Sequence, residues 1–261
     1  MIAHEAGQGR PLVLMHGFEL DHRSMLPLES SLADSSWRRI YLDLPWTEQA
    51  VPGPVASAQD VADGVVNELR DRLGDEPFAI IGHSFGGMVA RHVAHAMRGQ
   101  VLGLATLGAV FTADHRKRVL PAREVISAAL PDQAADDDFL EIAVIQTPGT
   151  LAAFNEFVLP GLRGTDQQVT GRIAADYALR REPEAAHPEP FEAPSLHIFG
   201  RQDHVTGYED GLALRDHYVR GTFAVLDAAG HHLYMERPAA VSVLMDDWLT
   251  SARAHAPALP R

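Results

Sequence analysis

Phe78-Ala79-Ile80-Ile81-Gly82-His83-Ser84-Phe85-Gly86-Gly87 is the stretch whose reading decides the fold. Four apolar residues run into Gly-x-Ser-x-Gly, and a helix-compatible segment, Met88-Val89-Ala90-Arg91-His92-Val93, follows. The order is strand, sharp turn, helix, with a serine at the apex. Such a turn is strained and holds the hydroxyl in the open. It needs glycine at 82 and 86, because strand and helix backbones approach closely there. Five residues alone are a weak signal, since small residues cluster by chance. The weight therefore falls on whether the rest of the chain supplies a base, an acid and an oxyanion hole.

Upstream, Leu12-Val13-Leu14-Met15 is a continuous apolar run, as in a parallel strand buried on both faces, and it ends in His16-Gly17-Phe18. A helix is predicted from about Ser24 to Leu32, and Arg39 to Leu44 reads as the next strand. Ser57 is the predicted N-cap of a helix over 60–73 with Val61, Val65 and Leu69 on its apolar stripe, and Gly74 fits its C-cap. Val101 to Leu107 is another buried-strand run. Strands alternating with helices argue for a parallel sheet covered on both faces.

From about Phe111 the pattern changes. Residues 112–192 show no comparable strand but hold helical pieces at 124–130, 138–146, 149–158 and 167–179. Thr147-Pro148 is an N-cap followed by proline in the first turn. Asp136-Asp137-Asp138 reads as a solvated helix start. Arg180 to Pro194 contains four prolines and reads as a connector. The strand grammar resumes with Leu196-His197-Ile198-Phe199 before Gly200-Arg201-Gln202-Asp203, a helix over 207–217, and a strand over 222–226 before Gly230-His231-His232. A last helix is expected over 238–251, then an Ala/Pro-rich tail that frays.

At 261 residues, 46% apolar and 22% charged, the chain has the make-up of a soluble globular protein. Its net charge of −13 disfavours phosphate backbones and anionic lipid surfaces, so no nucleic-acid or membrane partner is expected. Without cysteine there is no disulfide, thiolate catalysis or Cys-ligated zinc. No signal-peptide pattern or stretch of 18 apolar residues is present, and the default location is cytoplasmic.

In an open parallel sheet, functional residues gather at the carboxyl ends of strands. His16-Gly17-Phe18, the Trp46 loop, Ser84, Asp203 and His231 all follow predicted strands. The sequence thus resembles the α/β-hydrolase superfamily over essentially its whole length. The residues that carry the resemblance are His16-Gly17, Gly82-His83-Ser84-Phe85-Gly86-Gly87, Gly200-Arg201-Gln202-Asp203, and Gly230-His231-His232-Leu233 before Glu236-Arg237-Pro238. The resemblance implies a three-layer α/β/α sandwich with a mostly parallel eight-stranded sheet. Residues 1–111 and 193–261 would form the core and 112–192 a helical cap. It further implies Ser84 as nucleophile, Asp203 as acid and His231 as base. The backbone N–H groups of Phe85 and Phe18 would be the oxyanion donors.

Rival readings accompany these roles. Asp114 is the runner-up acid, His232 the rival to His231, and His16 a backbone-bonding loop residue. His83 and His232 are pocket-lining candidates with His16 and Trp46. Trp46 stands where relatives commonly carry glycine, so it either narrows the pocket rim or packs against a cap helix. Serine at the nucleophile position argues against chemistry that uses a carboxylate nucleophile. The expectation is hydrolysis of a small-molecule ester, thioester or related activated acyl group, without cofactor or metal, by a monomer or homodimer. Apolar cap residues such as Val119, Leu120, Ile126, Phe139, Phe154 and Val158 suggest a mainly apolar pocket. Carbon–carbon bond hydrolysis of vinylogous diketones, acyl transfer or cyclisation on the same residues, and ligand binding without turnover are the alternatives.

Overall fold

A computed structural model describes residues 1–32, 36–48, 50, 54–130 and 135–255. The start of the chain forms β1 (Ile2–Ala6) and β2 (Arg10–Met15). A 3-10 segment, His22–Leu28, runs into α1 (Glu29–Leu32), and β3 (Trp37–Leu42), α2 (Ala58–Leu73), β4 (Phe78–His83), α3 (Phe85–Ala96) and β5 (Val101–Leu107) follow. The 112–192 segment holds β6 (Ser127–Ala128), α4 (Asp137–Ile142), β7 (Ile145–Gln146), α5 (Pro148–Phe157), α6 (Leu159–Gly164), α7 (Gln167–Ala175) and α8 (Pro183–Ala186). The chain then re-enters the main sheet with β8 (Ser195–Gly200), α9 (Glu209–Leu212), β9 (Gly221–Leu226), α10 (Leu233–Glu236) and α11 (Pro238–Ala254).

The main sheet has the order β1-β3-β2-β4-β5-β8-β9, and every pair is parallel except β1 with β3. Its central strands β2, β4 and β5 are nearly continuous apolar runs because both faces are covered. Val13, Met15 and Ile80 face α2 and α3, while Leu12, Leu14 and Ile81 face α11 and the 22–32 segment. The α2 stripe of Val61, Val65 and Leu69 is buried, and Ser57 caps the helix by accepting from the Asp60 N–H at 3.1 Å. This is a three-layer sandwich. No helix among the described residues is long and apolar enough to cross a membrane.

Three expectations are corrected. The main sheet has seven strands among the described residues, not eight, with β1 at one edge beside β3 and β9 at the other beside β8. β1 itself carries no apolar run to announce it: pairing from Ile2↔Leu42 to Ala6↔Arg39 holds it, and His4 and Glu5 are exposed. The predicted helix over 124–130 is instead an extended segment whose β6 pairs with β7. The helix predicted over 207–217 shrinks to α9. The tail beyond 255 lies outside the described residues.

The connector read from its prolines contains a buried ion pair. Arg91, wholly buried on α3, donates Nε to Glu184 Oε1 at 2.8 Å and Nη2 to Glu184 Oε2 at 2.6 Å. Its Nη1 donates to Val110 O at 2.9 Å, its guanidinium lies over Phe111, and Tyr218 donates its hydroxyl to the same carboxylate. Burial pushes the Glu184 carboxyl up, but Arg91 and Tyr218 outweigh it and hold the group well below its ordinary 4.5. The contribution of the pair to stability is complete above that value and declines as pH falls below it. Arg91→Met leaves a buried carboxylate without its counter-ion and lowers the unfolding free energy by about 3–5 kcal/mol in urea denaturation. Arg91→Met combined with Glu184→Leu recovers part of that loss; a single-variant effect under about 1 kcal/mol contradicts the clamp.

Candidate active site

The turn after β4 is built on a close backbone approach. A Cβ on Gly82 would stand 2.2 Å from Gly86 O, and one on Gly86 would stand 2.4 Å from His16 O. Only glycine fits either place. Ser84 takes φ 53°, a conformation that costs an L-residue energy. Its backbone is held by Ser84 N–H to Leu107 O at 3.0 Å and by the Gly87 and Val110 N–H groups donating to Ser84 O at 3.0 and 3.1 Å. The side chain stands at the N-terminus of α3.

Two loops from across the sheet meet it. His231 Nε2 lies 2.9 Å from Ser84 Oγ, and His231 Nδ1 lies 3.0 Å from Asp203 Oδ2. A carboxylate only accepts, so Nδ1 carries the proton and Nε2 is left as acceptor for the serine hydroxyl. Asp203 is fully buried. Its Oδ1 accepts the N–H groups of Val205 and Thr206 at 2.9 and 3.0 Å, and Oδ2 lies 2.6 Å from Thr206 Oγ1. Burial alone pushes this carboxyl up; His231 and the Thr206 bonds outweigh it and hold it below the ordinary range. Asp114 is spent elsewhere, on Arg116 at 3.2 Å and Lys117 at 3.7 Å.

The other sequence candidates divide into two groups. His83 and His232 line the cavity beside Ser84. His83 donates Nε2–H to His231 O at 3.1 Å, and burial keeps its imidazole uncharged well below the ordinary value. His232 is likewise driven down by burial, to about 3. His16 and Trp46 do not line the cavity, which corrects that expectation. His16 is buried, donates Nδ1–H to Gly17 O at 2.8 Å and accepts the Leu44 N–H at 3.0 Å, so both its nitrogens hold backbone. Trp46 lies beneath the wall: its indole N–H donates to Leu20 O at 2.9 Å, and its ring packs on Phe18 and Phe85 at 5.0 and 5.4 Å. Phe18 and Phe85 also touch one another and Tyr177, so the two loops bearing their N–H groups are braced by one aromatic cluster. The Phe85 N–H opens α3 and has no intrahelical acceptor.

The cavity measures about 340 Å³. Val110, Ile142, Phe154, Val158 and Leu162 supply apolar wall, while Glu19, Arg118, Asp138 and Glu141 bring charge. Val119, Leu120 and Ile126 are exposed rather than pocket-facing. Sequence reading missed two residues. Thr206 braces Asp203, and half-buried Glu236 takes the Gly230 N–H at 2.5 Å with one oxygen and the Val144 and Ile145 N–H groups at 2.7 and 3.1 Å with the other. Thr206 lies three residues past Asp203, the spacing of a capping side chain; nothing in the sequence points from Glu236 to residues 144 and 145. Among the described residues no group of three or more His, Cys, Asp or Glu is arranged to hold a metal ion.

Fold and site define an α/β-hydrolase. An α/β superfamily hydrolase from Oenococcus oeni PSU-1 superposes with a TM-score of 0.89 at 25% identity, covering 96% of each chain. Within that superfamily the chain belongs to the thioesterase domain family, whose profile matches residues 10–246. It is 36% identical to the pimeloyl-[acyl-carrier protein] methyl ester esterase of Shewanella woodyi over 101 residues, 39% of this chain and 36% of that protein's length. It is 23% identical to the AB hydrolase superfamily protein YisY of Bacillus subtilis across 96% of both chains.

A serine whose hydroxyl meets an imidazole backed by a carboxylate is open to phosphonylation. A fluorophosphonate probe is expected to label Ser84, read by peptide mass spectrometry, and Ser84→Ala to abolish the adduct. Folded wild type that takes no label contradicts an activated serine.

Proposed function

We propose that the protein is a serine hydrolase that cleaves an ester, thioester or related activated acyl group through an acyl-enzyme on Ser84. The observation that carries this is the unbroken hydrogen-bonded line from Ser84 Oγ through His231 to Asp203 at 2.9 and 3.0 Å. Membership of the thioesterase domain family supports it.

Ser84 Oγ attacks the acyl carbon while its proton passes to His231 Nε2. The carbonyl oxygen becomes an oxyanion held by the N–H groups of Phe85 and Phe18, each worth about 3 kcal/mol in the transition state. Collapse expels the alcohol or thiol, which takes the proton from His231 and leaves the acyl-enzyme. Water then attacks the acyl carbon, gives its proton to His231, and a second collapse returns that proton to Ser84 and frees the acid. Asp203 stays a carboxylate throughout and stabilises the imidazolium. Residues 112–192 act as the cap over the acyl group, and the protein works in the cytoplasm.

The test is a panel of p-nitrophenyl esters of graded chain length together with acyl thioesters. Turnover is expected, with Ser84→Ala lowering kcat by roughly 10⁴-fold or more. Asp203→Asn is expected to lower it by about 10³–10⁴-fold, since an amide supports the wrong tautomer. No Ser84-dependent turnover on any acyl donor contradicts the proposal.

Only a neutral His231 can take the serine proton through Nε2. Burial keeps the neighbouring His83 and His232 uncharged, and the Asp203 carboxyl is held below its ordinary range, so neither ring adds a competing cation and the acid stays ionised behind His231.

A further inference from the structure

His232 has no part in the chemistry just described, yet its ring lines the cavity next to the base. Its ring centroid lies 5.7 Å from that of His231, 5.2 Å from that of His83 and 6.2 Å from that of Phe154. The residue is only 7% exposed. Its Nδ1 is sealed off with no hydrogen-bond partner among the described residues, while Nε2 is not sealed off.

An enclosed N–H without an acceptor is costlier than an enclosed lone pair without a donor. The single proton of the neutral ring therefore belongs on Nε2, the nitrogen that is not sealed off; of the two cavities that His232 lines, the one of about 340 Å³ beside Ser84 has room for a substrate and the one of about 10 Å³ does not. That places one fixed donor in the lining of a cavity that Ile142, Phe154 and Val158 also line. A plain alkyl chain leaves this donor unanswered, whereas an oxygen in the chain answers it. Burial holds the imidazole neutral, so the donor suits an uncharged oxygen rather than a counter-ion. An oxygen on the third acyl carbon lies three bonds, roughly 3–4 Å, from the scissile carbon. With a hydrogen bond of about 2.9 Å added, that reach covers the 5.7 Å between the His231 and His232 ring centroids.

Resting on the serine-hydrolase reading, we propose that His232 forms a polar subsite for the acyl chain, donating Nε2–H to an oxygen on the third acyl carbon. The preferred substrates are then 3-oxoacyl or 3-hydroxyacyl esters or thioesters rather than plain acyl ones.

The experiment compares kcat/KM for hexanoyl, 3-oxohexanoyl and 3-hydroxyhexanoyl thioesters of N-acetylcysteamine. Wild type is expected to favour at least one oxygenated chain by about tenfold, and the two oxygenated arms separate a keto from a hydroxyl acceptor. His232→Phe is expected to cut the preference to less than about threefold, and His232→Gln, which keeps an N–H donor, to restore most of it. Equal rates in wild type, or an undiminished preference in His232→Phe, overturn the subsite. A loss shared by all three thioesters with the preference intact assigns His232 a structural role instead and equally overturns it.

Calorimetric titration of the Ser84→Ala protein with hexanamide and 3-oxohexanamide makes the same comparison without turnover, in the presence and absence of His232→Phe. About tenfold tighter binding of the oxygenated amide, lost with His232→Phe, supports the subsite; equal affinity overturns it. Absence of Ser84-dependent turnover on all three thioesters strikes the serine-hydrolase reading alone, so the two failures are distinguishable.

Discussion

The backbone crossing at Ser84 is the constraint on which the rest depends. Gly82 and Gly86 approach to a distance that no side chain survives, and the second of them lies against the carbonyl of His16 at the end of β2. The apex residue is forced to φ 53°. A strain of this kind is of order 1–3 kcal/mol and persists only where the surroundings over-determine it. Here they do: Leu107 O, the Gly87 N–H and the Val110 N–H all bind the Ser84 backbone. The position of one hydroxyl is thereby referred to β2, β4, β5 and α3 at once.

Around that fixed point the electrostatics are arranged by burial rather than by net charge. The chain carries −13, yet the groups packed about Ser84 are chiefly imidazoles that burial keeps uncharged, His16, His83 and His232 among them. The carboxylate behind His231 stays ionised against its own desolvation because the imidazole and Thr206 answer it. Neutral rings can donate and accept in fixed directions without adding a competing charge beside His231. The Trp46, Phe18, Phe85 and Tyr177 cluster packs the loop after β2 against the first residue of α3 and residue 177.

Polar groups fasten the 112–192 segment to the sandwich, carboxylates at two places among them. Arg91 reaches Glu184 and Glu182 near its end, and Glu236 gathers the Val144 and Ile145 N–H groups near its middle. Glu236 also binds the Gly230 N–H, one residue before His231, so a contact with the inserted segment and the placement of the imidazole share one carboxylate. The Arg91–Glu184 pair is buried charge and costly to lose singly, because one deletion leaves an unpaired group inside.

The strand runs, the helix after Ser84 and the order Ser84, Asp203, His231 were legible in the sequence by itself. Two-sided burial writes continuous apolar runs, and a steric clash writes glycine. Local rules also placed the Ser57 and Thr147 caps. What lay beyond local rules went unread. The edge strand Ile2–Ala6 exists through pairing with β3, not through its own composition. The segment at 124–130 is extended, with the 127–128 strand pairing with 145–146 and Arg123 binding carbonyls on α4. From its place in the chain Trp46 either narrows the pocket rim or packs against a cap helix; only packing shows its ring against Phe18 and Phe85, beneath the wall. The ties from Arg91 to Glu184 and from Glu236 to Val144 each join residues about 90 positions apart, 93 and 92. Sequence determined which residues meet at the strand ends, because backbone sterics and periodicity act on near neighbours. Tertiary structure alone decided which face the cavity and which hold its walls, because that depends on what each side chain buries against.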